Sequence, residues 1–192
     1  ASGDWSSDVC SSDLFSGCPV YGAADIPQAT HIVREGDSIA WQNHRAAVWH
    51  TAGHTAHHRC YLLNQQHLFT GDTLFSAGCG RVFPNSRPQW LYHSLQRIFR
   101  LPDATQLYPA HEYTAANLRF AAHIEPDNPH ILAAQQRAQT IPSLPVTLAH
   151  EKQINPFLRV HLPAVQQRIR QLTQQTYDSD EDYFVALREL KN

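Results

Sequence analysis

Thr51-Ala-Gly-His-Thr-Ala-His-His58, Thr70-Gly-Asp-Thr-Leu-Phe-Ser-Ala-Gly-Cys-Gly-Arg81 and Ala110-His-Glu-Tyr-Thr114 decide how this chain is read. Each stretch follows a short apolar run, and each presents an imidazole or a carboxylate in a loop. His54, Asp72 and His111 are nitrogen and oxygen donors of the kind a hydrolytic zinc or iron site uses. They stand 18 and 39 residues apart, unlike the tight local pairs of a zinc finger. Such spacing suits a site assembled where several strands end. A single loop histidine is usually a surface side chain, and the Asp of Thr-Gly-Asp-Thr can simply cap a turn. The ordered set carries the inference.

Working outward, residues 37–41 and 46–50 read as strands about a turn at Gln42-Asn-His44. Residues 60–63 and 67–70 read as a hairpin about Asn64-Gln-Gln66, which leaves Asp72 just past a strand end. Residues 86–100 are predicted to be helical, with Ser86 as a cap and Leu91, Leu95 and Ile98 at i, i+4 and i+7. Residues 106–108 form a short strand running into His111. After Thr114 no strand pattern is expected. Helices are predicted over 114–124, 129–140, 163–175 and from about Ser179 onward. Asp127-Asn-Pro129 supplies a cap followed by a first-turn proline, and Ser179-x-x-Asp182 resembles a capping box. Ile141-Pro-Ser-Leu-Pro145 reads as a stiff linker.

Composition narrows the function. Among 192 residues, 42% are hydrophobic, enough for a core, and the formal net charge of −2 offers no footprint for nucleic acid or a membrane surface. Neither partner is expected. No apolar run is long enough to span a bilayer. Cys10, Cys18, Cys60 and Cys79 show no paired spacing, so reduced thiols in a cytoplasmic protein are expected. The Ser/Asp-rich opening, Asp4-Trp-Ser-Ser-Asp-Val-Cys-Ser-Ser-Asp-Leu14, has no periodicity, and residues 1–14 are read as a non-native or disordered tail.

From about Cys18 onward the chain resembles the hydroxyacylglutathione hydrolases (glyoxalase II) of the metallo-β-lactamase superfamily. The resemblance rests on the three loops above, on Val20-Tyr-Gly22 and Gly36-Asp37, and on Glu125-Pro-Asp-Asn128, Asn155-Pro-Phe-Leu-Arg159 and Leu187-Arg-Glu-Leu-Lys191. It implies an α/β (α+β) chain: the C-terminal part of a four-layer αβ/βα sandwich, residues 15–113, followed by an α-helical glutathione-substrate domain, residues 114–192. The family's earlier metal loop, Thr-His-x-His-x-Asp-His, is not among these residues, and there is no Met. Both lead to the expectation of a C-terminal fragment that is inactive by itself.

The resemblance also implies a chemistry and a set of roles. The reaction is hydrolysis of S-lactoylglutathione to glutathione and D-lactate, the second step of methylglyoxal detoxification, in a monomer holding two Zn2+, with Fe or Mn as substitutes. Asp72 would bridge the metals, with His54 on the first and His111 on the second. Arg81, Phe83, Tyr113, Arg188 and Lys191 would bind substrate. Phe83 stands where the family has a tyrosine, Ala52 where it has a proline, and His57 where it has a glycine and could crowd the site. Read without the resemblance, Arg188 and Lys191 share one helix face and suggest a solvated surface. The alternatives are an iron-dependent persulfide dioxygenase of the same fold and a non-catalytic fragment.

Overall fold

The computed structural model describes residues 17–138 and 143–191. The expected tail over 1–14 and the start of the linker, Ile141-Pro142, lie outside the described residues, as does Thr140.

Alternation builds the central sheet. In β5 (Arg59–Leu63) Cys60 and Leu62 turn inward, and in β6 (His67–Gly71) Leu68 and Thr70 do the same, while Phe69 points to the other face. β3 (Ser38–Trp41) and β4 (His44–His50) complete an antiparallel meander with them. β9 (Gln106–Pro109) then pairs parallel to β6. The sixth strand is β10 (Val146–Thr147), antiparallel to β9, so the order is β10-β9-β6-β5-β4-β3. β10 corrects the expectation of no strand after Thr114. At two residues it is too short to show alternation, and its pairing with Leu107 and Gln106 is a tertiary event. Two small pairs stand apart from this sheet: β1 (Tyr21–Gly22) with β2 (His31–Ile32), and β7 (Leu74–Phe75) with β8 (Gly78–Cys79).

The first helix, α1 (Pro88–Phe99), buries Leu91, Leu95 and Ile98 as its period requires. Ser86 does not cap it. The residue at that position is Arg87, whose side chain makes no cap bond, and the Ser86 amide is tied back to the Phe83 carbonyl. α2 (Thr114–Ile124) has the expected bounds, whereas α3 (Pro129–Arg137) ends sooner than expected; the Asn128 side chain accepts from the His130 amide and caps α3. A short helix the sequence did not suggest, α4 (Leu148–Ile154), is capped by the Thr147 hydroxyl. α5 (Pro163–Thr173) stops at Gln174 in the left-handed conformation, and α6 (Asp180–Leu190) begins on the Ser179 cap.

One apolar cluster joins the sheet to the helices. It contains Leu62, Leu68 and Leu107 from the strands, Leu91, Leu95 and Ile98 from α1, and Val165, Ile169, Phe184 and Leu187 from α5 and α6. The opposite sheet face is more open, with Phe69 exposed and stacked on Tyr108. Among the described residues no helix is long and apolar enough to cross a membrane.

Candidate functional site

Strand direction explains why three distant residues meet. β4 is antiparallel to β5, β5 to β6, and β6 is parallel to β9, so β4, β6 and β9 all run the same way. Their following loops therefore open at one edge of the sheet. His54 lies in the loop after β4, Asp72 directly after β6, and His111 just after β9. The three line one cavity of about 360 Å3, together with Phe75, Cys79, Gly80, Arg81, Tyr113, Asn117, Arg188 and Lys191.

Each donor is held by its surroundings. The His54 ring places Nδ1 2.8 Å from the Arg81 carbonyl oxygen. That oxygen can only accept, so Nδ1 donates the proton of this bond, and the bond leaves Nε2 on the other side of the ring. The backbone of the His54 loop sits against α1: a Cβ on Gly53, whose φ is +147°, would lie 2.4 Å from Leu91 Cα. The Ser94 hydroxyl donates to the Ala52 carbonyl at 2.7 Å. These contacts fix the loop immediately before His54.

Asp72 is buried, and its amide donates to His58 Nε2 at 3.2 Å. Burial pushes His58 down to about 3, so the ring is neutral; its Nδ1 meets the Thr51 and Thr73 hydroxyls at 3.2 and 3.0 Å. His58 thus supports the Asp72 backbone, a role no local pattern distinguishes from its neighbours His50 and His57. His57 is exposed and outside the cavity lining, so it does not crowd the site. His111 Nε2 stands 3.5 Å from Asp72 Oδ1, and its ring stacks on Tyr113.

The donor types suit a metal, but their arrangement is incomplete. Among the described residues no three His, Cys, Asp or Glu side chains converge closely enough to hold an ion. His54, Asp72 and His111 share a cavity without forming a closed ligand set, so by themselves these residues do not fit a metal centre. This falls short of the two-metal arrangement that the resemblance implies.

The cationic side of the cavity is better defined. Arg188 is 5% exposed, and its guanidinium donates to the Cys79 and Gly80 carbonyls at 3.2 and 3.4 Å. The Lys191 ammonium donates to Asn117 Oδ1 at 2.5 Å, and burial lowers its amine to about 8. Among the described residues neither Arg188 nor Lys191 has a carboxylate within ion-pair distance. This is no solvated helix face. Phe83 is the one expected substrate contact outside the lining: it packs against the edge of His54, 4.9 Å between centroids, beneath the Arg81 guanidinium.

Comparison with known proteins agrees with this architecture. A model of the metallo-beta-lactamase superfamily matches residues 11–111, and a model of the hydroxyacylglutathione hydrolase C-terminus matches residues 112–192. Hydroxyacylglutathione hydrolase of Neisseria gonorrhoeae (strain NCCP11945) is 56% identical over 177 residues, covering 91% of this chain and 70% of that protein. The enzyme of the same name from Maricaulis maris is 42% identical over 91% of this chain and 68% of its own length. Among solved structures, ETHE1 from Myxococcus xanthus aligns with a TM-score of 0.63 at 26% identity, covering 95% of this chain and 62% of that one. A metallo-beta-lactamase from Staphylococcus aureus subsp. aureus COL shares the fold, with a TM-score of 0.57 at 21% identity over 94% of this chain and 52% of its own. Superfamily membership implies metal dependence. On these matches, together with the strand-edge loops and the helices that follow them, the chain belongs to the hydroxyacylglutathione hydrolase family of the metallo-beta-lactamase superfamily.

Proposed function

We propose that the cavity receives the glutathione part of an S-(2-hydroxyacyl)glutathione, and that the chain serves hydrolysis of that thioester to glutathione and a 2-hydroxy acid, with S-lactoylglutathione as the substrate. The observation that carries this reading is the pair Arg188 and Lys191. Both are turned into the cavity that holds His54, Asp72 and His111, and neither is balanced by a carboxylate among the described residues. A buried, unpaired cation is costly. Ligand carboxylates remove that cost, and glutathione carries two.

The roles follow from placement. The Cys79 and Gly80 carbonyls hold the Arg188 guanidinium in one orientation, ready for a planar carboxylate. Tyr113, half exposed at the cavity and stacked on His111, offers its hydroxyl to the peptide part of the ligand. Arg81 adds a third cation to the lining. Only with further ligands to complete the set would His54, Asp72 and His111 serve as nitrogen and oxygen donors to the metal on which the family depends. Zinc suits such donors, with iron or manganese as substitutes. Because the set is incomplete, turnover requires the ligands of the family's Thr-His-x-His-x-Asp-His loop, which these residues do not include. A reducing cytoplasm suits the buried, unbridged thiols of Cys60 and Cys79. The hydrolase reading is preferred to a persulfide dioxygenase on the same fold because relatives at 56% and 42% identity carry the hydrolase name.

The test is calorimetric titration with S-methylglutathione, comparing the chain with an Arg188→Ala/Lys191→Ala double variant. The expected result is at least tenfold weaker binding by the variant. Equal affinities, or no binding by the unaltered chain, would overturn the assignment of the cavity.

A further inference from the structure

The segment 75–80, which gives Phe75, Cys79 and Gly80 to the cavity lining, is held from behind by two side chains that do not line the cavity. Glu151, on α4, is 1% exposed, and no cation pairs with it among the described residues. A carboxylate so placed is rare unless its oxygens are fully engaged. Here they are. Oε1 accepts from the Ser76 hydroxyl at 2.7 Å, and Oε2 from the Ala77 amide at 2.8 Å and the Asn155 side-chain amide at 3.0 Å. That Asn155 amide also reaches the Phe75 and Gly78 carbonyls, at 3.2 and 3.0 Å.

The turn between β7 and β8 needs such a grip. Ala77 has φ of 56°, a left-handed conformation that a residue with a Cβ seldom adopts. The Ala77 amide would point into an apolar interior without the Glu151 carboxylate. Immediately beyond the turn, the backbone meets the cavity's own residues: the Cys79 and Gly80 carbonyls accept from Arg188, and the Arg81 carbonyl accepts from His54. The same short segment is thus anchored from behind by Glu151 and Asn155 and presents, in front, the acceptors that orient one cation and one imidazole.

We infer that Glu151, assisted by Asn155, is a positioning residue of this pocket: it reaches from the helical part of the chain and sets the turn whose next carbonyls align Arg188 and His54. An apolar side chain of similar size would fill the same space and leave the turn unanchored. The ligand readout of this inference rests on the glutathione reading above, whereas the backbone readout does not.

The experiment measures amide hydrogen exchange over residues 75–80 and S-methylglutathione affinity in Glu151→Ala, Asn155→Ala, Glu151→Gln and a control, Val165→Ala. Val165 is buried in the same core cluster and makes none of the bonds to the turn. Glu151→Ala and Asn155→Ala are expected to speed exchange at Ala77 and its neighbours at least tenfold beyond the control, and to weaken ligand binding at least tenfold. Glu151→Gln keeps an acceptor for the Ala77 amide and is expected to stay within threefold of the unaltered chain in both. If Glu151→Ala does not fold, Glu151→Asp makes the same comparison, because it withdraws the carboxylate by one methylene. Exchange and affinity indistinguishable from Val165→Ala would overturn the inference. If the unaltered chain takes up no S-methylglutathione, the glutathione reading fails, and exchange alone decides the positioning role.

Discussion

Lys191 offers the sharpest test of how this pocket would meet an anionic ligand. Burial is the main cause that lowers its amine to about 8, with the nearby Arg188 charge acting in the same direction. A ligand carboxylate favours the charged amine, so affinity follows the protonated fraction in the free protein. Below pH 7 nearly all of the amine is charged. Above pH 8 each further unit costs about tenfold in affinity, since one unit corresponds to about 1.4 kcal/mol. The loss ends where the bond itself has been spent. A charge-assisted hydrogen bond is worth about 1.5–3 kcal/mol, or roughly ten- to hundredfold in binding. The assay is calorimetric titration with S-methylglutathione from pH 6.5 to 9.5, on the unaltered chain and on Lys191→Gln. Taking the ratio of the two affinities cancels titration of the ligand's own groups. That ratio is expected to start at ten to a hundred in favour of lysine and to collapse toward one at the alkaline end. A ratio that stays flat across this range would refute the reasoning, because it would mean that the ammonium does not touch the ligand.

Three further outcomes follow from the same geometry. Burial raises the Glu151 carboxyl from 4.5 to about 7, so the folded state holds this proton more tightly than the unfolded chain does. Its stabilising effect is full below pH 4.5 and is lost as the pH rises to 7, by about 3 kcal/mol; urea denaturation of Glu151→Gln should gain that much relative to the unaltered chain across the window, and a constant difference would show the carboxyl titrating normally. In Gly80→Ala, the new Cβ would lie 2.1 Å from the Asp72 carbonyl oxygen and 3.1 Å from His54 Nδ1, so thermal melts should shift down by several degrees and S-methylglutathione affinity should fall at least tenfold; an unchanged melt would mean the wall yields easily. Finally, because His54, Asp72 and His111 do not converge as a closed ligand set, the chain as it stands should show only trace hydrolysis of S-lactoylglutathione and bind zinc substoichiometrically, as measured by thiol release and atomic absorption; rapid turnover with stoichiometric metal would overturn that reading of the donors.

Much of this molecule was legible because periodicity is a local property. The apolar positions of α1 and the alternation in β5 and β6 can be read within a dozen residues, as can the caps at Asn128 and Ser179. The motifs Glu125-Pro-Asp-Asn128 and Asn155-Pro-Phe-Leu-Arg159 were visible too, but their work was not. Arg159 clasps the Glu125 carboxylate at 2.8 and 2.9 Å, the Asn128 amide reaches the Gln153 carbonyl, and Asn155 ties down the turn beside the cavity. Ser86 shows the opposite failure: the residue type suited a cap, yet a turn to Phe83 had already claimed its backbone.

The sequence by itself determined which residue types stand in which loops, and therefore that imidazoles, a carboxylate and cations were available for one kind of chemistry. Whether they meet was decided only by the tertiary structure. The common direction of β4, β6 and β9 depends on strand pairing between distant segments, and it alone puts His54, Asp72 and His111 at one sheet edge. Packing of distant elements buries Arg188, and the desolvation that comes with burial lowers the amine of Lys191 and raises the carboxyl of Glu151. Desolvation belongs to the packed ensemble of elements and is written in no single stretch of chain.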